Sequence, residues 1–184
     1  GAQRALEAAT NTMKGTFTKL PRKIIYDCCW WAGQTWVLHM SAVSRIARVA
    51  ISSECSEWKL SRFTDEWMLK HVVMIFPHIT RVYGSPELLE SARLMRSPGI
   101  QALTQLGVNL TSLSLPWCAQ VSDSALVGVF SECLEIQRID LKQCTNLTDA
   151  TMNAIGRYSE KLQVLQVSGC CNFSDDSLQR VAKN

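Results

Sequence analysis

Three aspartates, Asp123, Asp149 and Asp175, recur every 26 residues, and the cysteines Cys118, Cys144 and Cys170 recur at the same interval. Carboxylates in a set can exchange protons with a substrate, and thiols can act as nucleophiles or metal ligands. Each aspartate, however, directly follows a hydroxyl residue: Ser122, Thr148 or Ser174. Ser or Thr at that place caps a helix, and the aspartate sets negative charge at the positive end of its dipole. Three equivalent caps account for the pattern without a reaction. The cysteines form no C-x-x-C, and the adjacent pairs Cys28-Cys29 and Cys170-Cys171 send successive side chains in different directions, unlike a metal-ligand set. Of the three histidines, His71 and His78 lie two helical turns apart, but Pro77 ends a helix between them. No H-E-x-x-H, G-x-S-x-G, phosphate-loop or G-x-G-x-x-G string occurs. The expectation is a chain without enzymatic activity, metal or cofactor.

The elements that carry these residues follow from the same period. Leu110, Ile136 and Leu162 open three units of 26 residues. Leu113, Ile139 and Leu165 come next, then Leu115, Leu141 and Val167, the cysteines, and finally Val121, Leu147 and Phe173. The spacing L-x-x-L-x-L puts alternate apolar side chains on one face of a short strand and turns Ser114, Asp140 and Gln166 the other way. After the turn, apolar residues return at helical spacing, closing with Val129, Ile155 and Val181. A strand–turn–helix unit cannot bury its apolar side alone, so a fixed period predicts an α/β solenoid with a parallel sheet along its concave face. A looser unit precedes these. Its helix half covers residues 97–103, and its strand, residues 79–83, comes about five residues too early, which implies an insertion around residues 85–91. Three to four units are expected in all.

The strings CLEIQRIDLKQCTNLTDATMNAI and KLQVLQVSGCCNFSDDSLQRV resemble cysteine-containing leucine-rich repeats. Pro116-Trp117 in the first turn and Phe173 in place of an aliphatic residue are mild departures. The resemblance implies a leucine-rich-repeat solenoid that presents a surface to other proteins. On it, the outward strand and strand-end residues Ser112, Ser114, Arg138, Asp140, Lys142, Val164, Gln166 and Ser168 would contact a partner, with Trp117 at the rim.

Net charge is +3, and residues 1–23 alone carry +4, from Arg4, Lys14, Lys19, Arg22 and Lys23 against Glu7. The repeats therefore lack a basic stripe, which argues against a nucleic-acid partner. The basic stretch reads as a solvated arm, or as the remnant of an organellar targeting region. The chain begins at Gly1, consistent with a processed or trimmed species. Three of the eight cysteines are repeat positions and Cys133 is a fourth, and stacked turns hold their thiols side by side in poor geometry for a disulfide. Reduced thiols suit an intracellular protein, cytoplasmic or nuclear, with the mitochondrion as the alternative. Between Cys28 and Ser44 no charge appears, but the stretch is shorter and more polar than a transmembrane span requires.

Residues 20–60 show no period. Leu20-Pro21, the aliphatic pair Ile24-Ile25, the step Val43-Ser44-Arg45 and Trp58 resemble a degenerate F-box, a small helical segment that in its family binds an adaptor. Arg22-Lys23 replaces the acidic residues usual there, and Gly33-Gln34 falls where a leucine-rich helix belongs. Leu20, Pro21, Ile24, Ile25 and Val43 would be the adaptor-binding residues. The expected organisation is thus a basic arm over 1–19, an F-box-like segment over 20–60, a connecting helix over 61–75 and repeats over 76–184. The resemblance implies a substrate-recognition subunit of a cullin-RING ubiquitin ligase, with a Skp-type adaptor and a substrate protein as partners. The alternatives are a structural accessory subunit of a large assembly, mitochondrial respiratory, ATP synthase or ribosomal, and a stand-alone repeat scaffold.

Overall fold

The structure, a computed structural model, describes residues 55–60, 66–84 and 97–183. The chain divides into two compact units, residues 1–55 and 56–184. The elements below all belong to the second.

Five short strands, β1 (Glu57–Leu60), β2 (Arg81–Gly84), β3 (Ser112–Ser114), β4 (Arg138–Asp140) and β5 (Val164–Gln166), form one parallel sheet in sequential order. Helices alternate with them: α1 (Glu66–Ile75), α2 (Ser97–Gln101) running into a 3-10 segment (Ala102–Asn109), α3 (Asp123–Glu132), α4 (Asp149–Tyr158) and α5 (Asp175–Ala182). Each strand with the helix after it makes one coil, and successive coils stack. Ser112 pairs with Arg138 and Arg138 with Val164, so the 26-residue period is the hydrogen-bond register of the sheet. Arg81 pairs with Ser112, a step of 31, and the five extra residues fall between β2 and α2 as the early strand implied.

Apolar side chains at the middle of each strand point between sheet and helices. Trp58, Val82, Leu113 and Ile139 are all at most 1% exposed. Burying each such side chain contributes roughly 1.5–3 kcal/mol, and repetition along the stack makes this the main source of stability. Trp58 also stacks on Phe76, with ring centroids 5.7 Å apart. In the fifth coil the equivalent side chains Leu165, Val167 and Phe173 are half-buried, since no described strand lies beyond β5.

Two expectations change. The array was expected from residue 76, with Trp58 closing the helical segment. Instead Trp58 lies in β1, because Glu57-Trp58-Lys59-Leu60 alternates polar and apolar residues and pairs in register with β2. The helix expected as a connection over 61–75 is found as Glu66–Ile75 and packs against α2 and the 3-10 segment, as the helix of the first coil. The sheet therefore has five strands where three to four were expected. The helix half of the second coil also departs from a regular helix. Gly107 takes φ 49°, ψ −129°, a conformation open to glycine and not to L side chains, and turns the chain toward β3.

Side chains lock each coil to the next. Cys144 Sγ donates to the Leu115 carbonyl at 3.1 Å and Cys170 Sγ to the Leu141 carbonyl at 3.0 Å. Cys144 Sγ also stands 3.8 Å from the Lys142 carbonyl of its own turn, so its shorter bond is the one that reaches the preceding coil. Asn172 Nδ2 donates to the Thr145 carbonyl at 2.7 Å, and Asn146 makes the same bond to Ala119 one coil earlier. Burial holds the thiols protonated: Cys118, Cys133 and Cys144 are each pushed up to about 12.

Candidate interaction surface

The parallel sheet sets the outward residues of five strands into two rows. One runs Glu57, Arg81, Ser112, Arg138, Val164, and the other Lys59, Tyr83, Ser114, Asp140, Gln166. None of the ten is buried. Neighbouring strands lie about 4.8 Å apart, so each row is a ladder of side chains at that spacing. All six strand residues expected to face a partner, Ser112, Ser114, Arg138, Asp140, Val164 and Gln166, stand in these rows. Lys142 and Ser168 continue them past the strand ends, where Gln143 N–H donates to the Ser168 carbonyl and Trp117 N–H to the Lys142 carbonyl. Glu57, Lys59, Arg81 and Tyr83 belong to the same face and were not anticipated. The alternation in residues 57–60 was the available signal.

Asp140 organises the middle of the face. Its Oδ2 accepts the Ser114 hydroxyl at 3.3 Å, its Oδ1 accepts the Lys142 N–H at 3.1 Å, and the Lys142 ammonium stands 3.9 Å away. Arg81 is paired with Glu57. The charges of the face are Lys59, Arg81, Arg138 and Lys142 against Glu57 and Asp140, a net +2, whereas the remaining described residues sum to −3. Small as it is, the excess sits on a surface that is mainly polar and regularly spaced.

Trp117 stands at the rim. It is 43% exposed, with φ 64°, and its equivalents Gln143 and Gly169 share the left-handed conformation with φ of 59° and 79°. Gly169 needs to be glycine twice over, because a side chain there would also collide with the Gln143 amide. A bulky aromatic held left-handed costs about 1 kcal/mol or more. Trp117 thus carries local strain while leaving much of its indole in water.

Among the described residues no group of three or more His, Cys, Asp or Glu side chains could hold a metal ion. No described helix is long and apolar enough to cross a membrane. Asp123 and Asp149, which suggested acid–base chemistry, are engaged in binding the hydroxyl and N–H groups of the next coil. Leu20, Pro21, Ile24, Ile25 and Val43 lie outside the described residues.

No family model and no curated protein matches the chain. Among solved structures it is similar to a chain of the crystal structure of the Rad7 and Elc1 complex in yeast, at 12% identity and a TM-score of 0.33. The similarity covers 96% of this chain and 64% of that one, so the chain spans under two thirds of that protein's length.

Proposed function

We propose that this chain is a non-catalytic protein–protein interaction module, a leucine-rich-repeat solenoid whose open sheet face takes up an acidic segment of a partner protein. The observation that carries this reading is the pair of in-register rows of unburied, mainly polar side chains across five strands, flanked by the exposed Trp117. Rigid strands present groups at fixed spacing, so a partner meets a surface already organised, and a strained rim aromatic supplies an anchor of the kind that dominates binding energies. The net +2 of the face against −3 over the remaining described residues favours an acidic partner over nucleic acid, which demands a stronger basic field.

At the finer level the reading is a substrate-recognition subunit of a cullin-RING ubiquitin ligase. Leu20, Pro21, Ile24, Ile25 and Val43 of the F-box-like segment would contact a Skp-type adaptor, and the sheet face would hold the substrate. The test is affinity purification of the full chain with mass spectrometry, repeated for Leu20→Ala with Pro21→Ala and for Arg138→Glu with Lys59→Glu. The reading expects an adaptor and a cullin lost with the first pair, and a substrate lost with the second. Recovery in a stoichiometric membrane or ribosomal particle, with no adaptor, would replace it by the accessory-subunit reading.

A further inference from the structure

The described residues expose four large apolar side chains: Met74 at 68%, Val108 at 64%, Leu134 at 46% and Trp117 at 43%. Trp117 lies where strands pass into helices. The other three lie at the opposite edge, where helices return to strands, and two of them are repeat equivalents. Val108 precedes Ser112 by four residues, Leu134 precedes Arg138 by four, and Ser112 and Arg138 are register partners. Pro77, also exposed, holds the same place before Arg81. Hydrogen bonds join the segments that enter the strands: Asn109 Nδ2 donates to the Pro77 carbonyl at 3.1 Å, and the Gln137 N–H to the Thr111 carbonyl at 2.8 Å. Pro77, Val108 and Leu134 therefore form an apolar row across three coils, with Met74 beside its first member.

The fold does not need this row. In the fourth coil the same position is Glu160, which is exposed and shows that a charged residue serves the turn equally well. There the row ends against acidic groups. Glu132 and Glu160 are exposed, while Glu135 is engaged by Lys161 at 2.6 Å. An apolar strip with one acidic end on an otherwise polar edge marks a contact site.

We propose that this turn edge docks a short amphipathic helix of a partner protein, with aliphatic side chains over Val108 and Leu134 and a lysine or arginine toward Glu132 and Glu160. Strands of adjacent coils lie about 4.8 Å apart and packed helices about 8–10 Å apart, so the turns between them space three coils over roughly 10–20 Å. Side chains at i, i+4 and i+7 of a helix span about 10 Å, so two to three turns cover the strip. The site lies on a different edge from the sheet face and stands or falls independently of the function proposed above.

The experiment places a photo-crosslinking amino acid at Val108 or Leu134 of the full chain in cells, with Asn153 on α4 as control, and sequences the captured peptides. The proposal expects both positions to capture one segment of one partner, with aliphatic residues at three-to-four spacing and a flanking Lys or Arg. It expects Val108→Glu with Leu134→Glu to reduce binding of that segment, made as a synthetic peptide, at least tenfold with thermal unfolding unchanged. Glu132→Lys with Glu160→Lys should weaken it several-fold. Capture of an acidic or extended segment, of lipid, of a second copy of this chain, or of nothing above the Asn153 control overturns it. So does a peptide affinity that the glutamate variants leave unchanged.

Discussion

The Asp123 carboxylate bridges two coils: its Oδ1 accepts the Thr148 backbone N–H at 2.9 Å, and its Oδ2 accepts the Thr148 hydroxyl at 2.9 Å. Thr151, fully buried, donates to the same Oδ1 at 2.5 Å. One coil later Asp149 does the same to Ser174, at 2.8 and 2.6 Å. An aspartate that begins one helix therefore fixes the cap of the next.

Asp123→Ala should lower unfolding free energy by about 1–3 kcal/mol, because it strands the buried Thr151 hydroxyl and frees the Thr148 cap. A double-mutant cycle with Thr148→Ala should return a coupling of about 0.5–3 kcal/mol. Additive effects in urea titrations would show that the bridge contributes nothing of its own.

Asp149 gives a pH dependence. Hydrogen bonds from the Ser174 hydroxyl, the Ser177 hydroxyl and the Ser174 N–H, in that order, hold its carboxyl below the ordinary 3.8. A carboxyl depressed in the folded state contributes stability that is fully present above the unfolded value and is lost as pH falls through the folded one. Amide exchange at Ser174 and Ser177 should thus stay slow at neutral pH and accelerate only below about pH 4. In Asp149→Asn that acid-dependent step should vanish, and its persistence would assign it to another group.

Thiol chemistry should separate the cysteines. Cys118, Cys133 and Cys144, pushed up to about 12 by burial, should resist alkylation at pH 8 in the folded protein, while the exposed Cys171 reacts. These three also bind protons more tightly folded than unfolded. Their contribution to stability is complete below the unfolded value near 9 and declines from there toward 12, so urea midpoints should fall across that interval. Mass spectrometry after timed alkylation reads the first effect, and labelling of Cys144 as fast as Cys171 would contradict it.

Ser159 takes the place in its coil that Cys133 takes one period earlier, and its buried hydroxyl has no hydrogen-bond partner. Removing an unsatisfied buried hydroxyl should stabilise, so Ser159→Ala should raise unfolding free energy by about 1 kcal/mol. Ser159→Cys should do at least as well. A loss in both variants would mean that the hydroxyl is satisfied in solution.

Trp117→Gly sets two terms against each other. Glycine relieves the left-handed strain, about 1 kcal/mol, and gives up the contacts of the buried half of the indole, so net stability should change by less than about 2 kcal/mol. Binding to the sheet-face partner should fall about thirtyfold, as for a rim anchor worth about 2 kcal/mol. Unchanged affinity would remove Trp117 from the surface.

Much of the face was readable from the residues. Outward positions of β3, β4 and β5 follow from alternation within a strict period, because a parallel register repeats whatever the sequence repeats. The first two strands were harder to read. They lie 24 and 31 residues before their neighbours, off the 26-residue period, and Trp58 of β1 stood where a different motif would place it. Of the strip, Val108 and Leu134 stand one 26-residue period apart in the chain, but exposed apolar residues are common and only their alignment with Pro77 across coils gives them meaning.

What the sequence determined alone was the period, and with it the strand–turn–helix coil, the inward leucine-type residues and the side-chain caps at Thr148 and Ser174, whereas Ser122 holds the N-cap position without a side-chain cap bond. These depend on neighbours a few positions apart. What the tertiary structure decided was everything that passes between coils: the Asp123 to Thr148 bridge, the cysteine bonds to the preceding strand, the entry of residues 57–60 into the sheet, and the assembly of two separate surfaces. Those arise from register between segments more than twenty residues apart, and pairing energy is collected only once the strands lie side by side.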